Sequence, residues 1–442
     1  MNHSSTVTAP WRERIYAALV IGVPLLLLVT WVLYGLVLRD LLNPCPPYCR
    51  EADYQGQMQP GLQLPGADLS DANFGQALLT AADFSHSNLW FTNFSGATLN
   101  QANFSNASLR ATNFSNASLQ NAILRNANAG GARFIHSDLR NADLSGTDLL
   151  TADLSFAILH ESKIDASSKL SPKWQLVWEI INQPSTRRAL DGVDLQNANL
   201  QGAILTDATL RNARLNNSIL TGANLLGSDL RGAHLLGVEI DETTQIDAKW
   251  QQVWQLVNQV KDGQVAVESD LQEAYMAEVY LRKANLQGSN FSQSDLSDAD
   301  LREANLSATI LVSTTLRAAT LRDADLRNAD ARAADFSNAD LTWAEMRGMV
   351  IDEQTILSQR DRRVWEVTNA TGVITDLRGI DLSWADLSGI DFSGLDLSGA
   401  NLHRAQLRNT NFTNSNLSNA DLTESDLTDA KLEGAKLEGA LR

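Results

Sequence analysis

The sequence predicts an all-β solenoid that follows one apolar helix and is interrupted by three short helices. Apolar residues recur at every fifth position from Leu64 almost to the end of the chain. Near the N-terminus about 24 residues pass without a charge, long enough for a membrane span. A break in the five-residue period, centred on a tryptophan, occurs three times with one spacing. A period of five matches neither the two-residue repeat of a strand nor the 3.6-residue repeat of a helix, so each unit has to turn a corner.

Residues 1–14 form a short polar tail, and residues 15–38 the apolar segment. As a helix, Ile15 to Leu38 extends roughly 36 Å against a hydrocarbon core of roughly 30 Å. Gly22 and Pro24 are tolerated in lipid, and Trp11, Tyr16, Trp31 and Tyr34 suit the interfaces. A cleaved signal peptide is the rival reading. The run is long for one, and no small-x-small site follows Arg39, so an uncleaved single-pass anchor is favoured. Charge counting does not settle orientation, since Arg12 and Arg14 are matched by Arg39 and Arg50.

Residues 39–63 read as a Pro-rich linker. In it, Cys45-Pro46-Pro47-Tyr48-Cys49 forms a disulfide ring in one reading and two free thiols in the other. A ring suits an oxidising compartment, which favours a periplasmic or lumenal solenoid over a cytoplasmic one.

The four repeat blocks span 64–164, 190–240, 271–351 and 377–442, separated by interruptions over 165–189, 241–270 and 352–376. In the first block the centres Leu69, Phe74, Leu79, Phe84, Leu89 and Phe94 alternate, with a small residue such as Ala67, Ala72 or Ala77 two places before each. One apolar and one small residue pointing inward per unit make a narrow coil that these residue types fill at interior density. Strict Phe/Leu alternation is compatible with any even number of units per coil. Four units would stack Phe74, Phe94, Phe114 and Phe134 on one wall, and Phe84 and Phe104 on the opposite one.

Units such as Gly66-Ala67-Asp68-Leu69-Ser70 and Asp298-Ala299-Asp300-Leu301-Arg302 resemble the pentapeptide-repeat family. That resemblance implies a right-handed quadrilateral β-helix with four units per coil. The interruption Lys-Trp-Gln-x-Val-Trp-x-(Ile/Leu)-(Ile/Val)-Asn-Gln looks like one found in cyanobacterial members, whose roles are mostly unassigned.

Each interruption reads as a short amphipathic helix. Ile164-Asp165, Ile240-Asp241 and Ile351-Asp352 precede Trp178, Trp254 and Trp365 at equal distance, and Asn182, Asn258 and Asn369 follow each Trp by four. Ser171, Asp247 and Ser358 occupy cap positions, with Pro172 opening the first helix. The faces bearing Trp174, Trp178, Trp250 and Trp254 are expected to lie on the solenoid's outer wall, with Phe156 and Trp343 facing outward to receive them. The third helix has Asp361 where Trp174 and Trp250 stand, so Trp365 is a candidate protein contact.

Lys+Arg 35 against Asp+Glu 52 gives a net charge of −17, which disfavours binding to a phosphate backbone. His86, His136, His160, His234 and His403 lie on different units without a Ser or Cys partner, and read as solvated surface histidines. No catalytic, cofactor-binding or metal-binding set is expected. The remaining contact candidates are the outward pair Trp90-Phe91 and a ladder of Arg282, Arg302 and Arg322. The ladder reads as a self-neutralising face or as a strip for an acidic partner.

The expectation is therefore a membrane-anchored, non-enzymatic scaffold presenting a rigid solenoid to an unidentified protein partner, with self-association through its C-terminal end. The alternative is an acidic DNA mimic, since some members of the family resemble duplex DNA and inhibit topoisomerases.

Overall fold

The computed structural model describes residues 45–370 and 377–442. The N-terminal tail and the apolar segment 15–38 lie outside the described residues. Among those described, no helix is long and apolar enough to cross a membrane. The chain divides into two units, Met1–Trp178 and Glu179–Arg442.

In the first unit, residues twenty apart pair in parallel, as Asn73 does with Asn93 and Asn93 with Asn113. Each unit of five bonds in both directions: the Asn93 amide donates to Ala72 at 2.9 Å, and the Phe94 amide donates to Asn113 at 2.7 Å. Two residues after nearly every centre the backbone turns through positive φ, 60° at Gln76 and 67° at Gly96, which forms the corner and favours Asn, Asp and Gly there. Asp or Asn before the centre has its own reason. The Asn93 side chain accepts the Ser95 amide at 3.1 Å and donates to Asn73 at 2.9 Å, so it closes a turn and extends a ladder.

Four units per coil place the phenylalanines in columns. Phe74, Phe94, Phe114 and Phe134 stack at 4.9 to 5.2 Å, and Phe84 stacks on Phe104 at 5.3 Å. The two columns meet edge to face, Phe74 against Phe84 at 5.6 Å. Both geometries are favourable for aromatic pairs. Buried hydroxyls fill the small position where Ala is absent: Thr92 donates to the Leu69 carbonyl at 2.8 Å.

The linker expected over 39–63 needs correction from residue 45 onward, where it is already a coil. Tyr48 pairs with Asp68, Met58 with Leu78 and Gln63 with Asp83. Cys49 is buried at a core position, and Tyr54 stacks on Phe74 at 4.7 Å. Within the described residues this coil has a neighbour on one side only, so Cys, Tyr and Gln are admitted where interior coils need Leu or Phe. Cys45 and Cys49 are joined by a disulfide with Cα atoms 4.8 Å apart.

In the second unit the same pairing runs from Ala189–Thr209 to Asp421–Leu441. The third block begins earlier than 271, because Val265 pairs with Asn285 and Ala266 fills a core position. An Ala centre hid that unit from the apolar pattern. Gln264 takes the small position there and donates to Tyr280 at 2.7 Å.

Each break starts with one extra residue. Strand β1 (Asp148–Leu149) pairs with β2 (Lys169–Leu170), so that Lys169 faces Asp148, and Gln245 and Ile356 face Asn224 and Asp335 in the same way. Helices α1 (Pro172–Asn182), α2 (Ala248–Asn258) and α3 (Gln359–Thr368) follow. Ser358 caps α3 by accepting the Asp361 amide at 3.0 Å. Asp247 occupies the cap position of α2 without a side-chain bond to the helix, and its carboxylate accepts the Gly227 amide at 3.0 Å instead. Within the second unit the stack continues past the breaks along one wall. The Gly232 amide donates to Glu273 at 2.7 Å, and the Trp343 amide donates to Trp384 at 2.8 Å.

Candidate interaction surfaces

A coil that loses its upper neighbour exposes backbone groups that need partners, because an unmet buried carbonyl or amide costs about 1–3 kcal/mol. In an intact stack the carbonyl two places before a centre accepts an amide from the next coil, as Ala142 does from Lys163 at 2.9 Å. At the breaks Ser162, Val238 and Met349 hold that position. Their carbonyls accept the indole N–H of Trp178, Trp254 and Trp365 at 3.0, 2.7 and 2.7 Å. Each indole replaces a backbone amide.

The asparagine four residues on completes the substitution. Asn258 accepts the Gly237 amide at 2.6 Å and donates to the Leu235 carbonyl at 3.0 Å. Asn369 makes the same pair with Gly348 and Met346, at 2.6 and 3.0 Å. The aspartate of each Ile-Asp pair works on the opening side. Asp165, Asp241 and Asp352 accept the amides of Gly146, Gly222 and Ala333 at 3.1, 3.0 and 2.9 Å, in place of a carbonyl. Ser168, Thr244 and Thr355, three places later, donate to carbonyls of the coil below at 2.9, 3.1 and 3.0 Å.

Hydrogen bonds from Ser167 first, with Gly146 and Ser168 adding, hold Asp165 down at about 2. Those from Thr243, Gly222 and Thr244 do the same for Asp241. The helices therefore close a free coil edge, which corrects the expectation that they merely lie on the outer wall.

The faces of α1 and α2 differ from that of α3. Trp174 and Trp250 are buried, with Lys173 and Lys249 ammonium groups 4.8 and 5.0 Å from their rings. In α3, Asp361 is equally buried, paired with Arg360 at 2.5 Å and bonded by Ser358 at 2.5 Å. Arg360 in turn donates to Ser383 at 2.9 Å. Trp365 is half-buried with its N–H committed to Met349, so it is a structural residue like Trp178 and Trp254 rather than a free contact. Trp343 packs against Trp384 with ring centroids 5.2 Å apart and planes tilted by 47°, and donates to Arg404 at 2.8 Å, while Phe156 stacks on His136 at 4.4 Å.

The arginine ladder is internally paired. Arg282 reaches Glu303 at 2.8 Å, Arg302 reaches Asp300 at 2.5 Å, and Arg322 binds Asp340. The Arg302 hydrogen bond, against opposing burial, keeps the Asp300 carboxyl below its usual range. Nor are the histidines all solvated: His234 stacks on Tyr275 at 3.7 Å, and burial together with Arg214 lowers its pKa.

Trp90 and Phe91 stay on the surface, 42% and 64% exposed. The Trp90 indole donates to Ser108 at 2.6 Å, and the Arg110 guanidinium lies 5.4 Å from its ring. A groove of about 290 Å³ lined by Asp323, Asp325, Arg327, Trp343, Glu345 and Asp386 is open to solvent. Among the described residues no group of three or more His, Cys, Asp or Glu could hold a metal ion.

Comparison with known proteins turns on the repeat. A family model described as pentapeptide repeats matches residues 132–167, 190–225, 208–244, 269–307, 309–348, 375–414 and 405–441, and a pentapeptide repeat region model matches 62–134. No curated protein matches. Among solved structures, HetL of the cyanobacterium Nostoc, a pentapeptide repeat protein involved in heterocyst differentiation regulation, is 20% identical. That match covers 73% of this chain and 98% of HetL, with a TM-score of 0.20. Rfr23 of the cyanobacterium Cyanothece is 20% identical over 49% of this chain and 99% of its own, with a TM-score of 0.11. QnrB1, a plasmid-mediated fluoroquinolone resistance protein, is 13% identical over 72% and 100%, with a TM-score of 0.16. Matched by its repeats over more than half its length and stacked in twenty-residue coils, the chain belongs to the pentapeptide repeat family, whose members form right-handed quadrilateral β-helices.

Proposed function

We propose that the protein is a membrane-anchored, non-enzymatic scaffold whose solenoid presents a docking surface for another protein, with residues 15–38 as the anchor. Pentapeptide repeat proteins are generally structural or interaction modules. The observation that carries the reading is the pair Trp90 and Phe91, large aromatics left exposed on a wall that also exposes Leu150, while the phenylalanines at repeat centres fill the core. The Cys45–Cys49 disulfide supports an oxidising compartment for the solenoid. Two measurements test the proposal. An impermeant maleimide should label the cysteines in intact cells only after an impermeant reductant. A photo-reactive residue in place of Phe91 should form a discrete adduct in intact membranes, and the absence of any adduct counts against docking.

An acidic DNA mimic is the second reading, favoured by the net charge of −17. Many surface carboxylates are tied to arginines two or eighteen residues away, which interrupts the anionic track such a mimic needs. Inhibition of gyrase supercoiling at near-stoichiometric amounts would establish the mimic and remove the scaffold.

A further inference from the structure

The wall that carries Trp90 has a second peculiarity. Residues Trp90, Arg110, Gly130 and Leu150 are twenty apart and therefore form one outward column, about 14 Å from first to last at strand spacing. Elsewhere an arginine at this position holds a carboxylate twenty-one residues after it, as in Arg50 with Asp71 and Arg282 with Glu303, or one that comes from either of two other places. It is two residues before, as in Arg140 with Asp138 and Arg302 with Asp300, or eighteen residues after, as in Arg125 with Asp143 and Arg317 with Asp335. For Arg110 those places are Gly131, Ser108 and Asn128, all without charge. Among the described residues its guanidinium has no carboxylate partner, and it lies over the Trp90 ring.

The surroundings make a seat rather than a scatter of groups. The Trp90 indole is fixed against the next coil by its bond to Ser108. Above Arg110, Gly130 and Gly131 leave a trough without side chains, closed on the far side by Leu150, which is 52% exposed. A Cβ at Gly130 would meet only ordinary contacts, Asn128 Oδ1 at 3.4 Å and Thr151 Oγ1 at 3.6 Å, so packing at that coil does not demand the glycine.

We infer that this face of the first block, formed by Trp90, Phe91, Arg110, the Gly130–Gly131 trough and Leu150, binds a protein segment that carries a carboxylate beside a large apolar side chain. The apolar group lies in the trough between Trp90 and Leu150, and the carboxylate pairs with Arg110, a charge-assisted contact strengthened by the cover of the ring. The inference rests on the docking reading above and adds the chemistry of the partner.

Two fluorescent seven-residue peptides test it by anisotropy against the full-length protein in detergent. One has phenylalanine flanked by aspartates, and its twin has lysines in their place. The acidic peptide should bind at least tenfold more tightly. Arg110→Glu should reverse that preference, and Gly130→Leu, which fills the trough and leaves Arg110 in place, should abolish binding of both. Equal binding of the twins, or a preference unmoved by Arg110→Glu, overturns the inference, as does no binding at millimolar concentration. A photo-reactive residue at Ala111 separates the two levels. Capture in cells without acidic-peptide binding leaves the docking reading and removes the partner chemistry, whereas neither capture nor binding removes both.

Discussion

At the scale of single residues, the tryptophan of each break acts through one hydrogen atom. Trp254 donates to a carbonyl that an intact stack would satisfy with a backbone amide. Trp254→Phe keeps most of the buried surface and loses the donor, so it should cost about 1–2 kcal/mol in denaturant unfolding. A loss no larger than a few tenths would show that the ring, not the N–H, does the capping. The partner aspartates add a pH dependence. Asp165 and Asp241 are lowered from 3.8 to about 2, so the stability they contribute is complete above about pH 4 and is lost as the pH falls toward 2. Amide protection at Gly146 and Gly222 should fall across that window and be insensitive to pH between 5 and 7. The Ile-Asp pairs and the Trp-to-Asn spacing are legible in the sequence, but their purpose is not. A hydrogen bond to a missing neighbour leaves no periodic trace, and the Ser or Thr three places after each Asp passes for an ordinary polar residue.

At the scale of elements, the three helices look alike in spacing and differ in what fixes them. Helices α1 and α2 bury a second tryptophan, Trp174 and Trp250, under a lysine. Helix α3 has a buried carboxylate at the same place, tied to Arg360 and to the Ser358 cap. Reading Asp361 as a weakness follows from hydropathy alone, which prices a buried charge without its partners. Because Ser358 serves both the helix end and that carboxylate, Ser358→Ala should cost about 1–2 kcal/mol and unfold α3 first. Asp247→Ala, whose side chain makes no cap bond, should leave α2 helical while loosening the Gly227 amide. Hydrogen exchange resolved along the chain distinguishes the two, and equal protection losses in both helices would contradict the assignment of roles.

For the whole molecule, the four units per coil followed from the family resemblance, since Phe/Leu alternation allows any even number, whereas the five-residue period was readable because packing imposes it on every repeat. The first described coil was not, because a coil stacked on one side tolerates Cys49, Tyr54 and Gln59 at centres. The surface contacts were readable only as candidates, since an outward residue answers to its neighbours across coils and not to the period. The columns allow a test of the architecture as a unit. Removing residues 95–114 takes out one coil and brings Phe94 under Phe134, so every column keeps its partner type. Removing residues 95–99 keeps the five-residue period but turns the stack by one side, setting Phe84 and Phe94 beneath leucines. Both deletions leave the same number of stacked aromatic pairs, but the shorter one packs Phe against Leu at four new contacts between coils, a misfit of shape that should make it the less stable of the two by about 1–3 kcal/mol although it removes fewer residues. Contacts in such a stack are between nearest neighbours, and the loss should therefore appear in hydrogen exchange at coils next to the cut. Equal unfolding midpoints for the two deletions would mean that the aromatic columns do not set the register between coils.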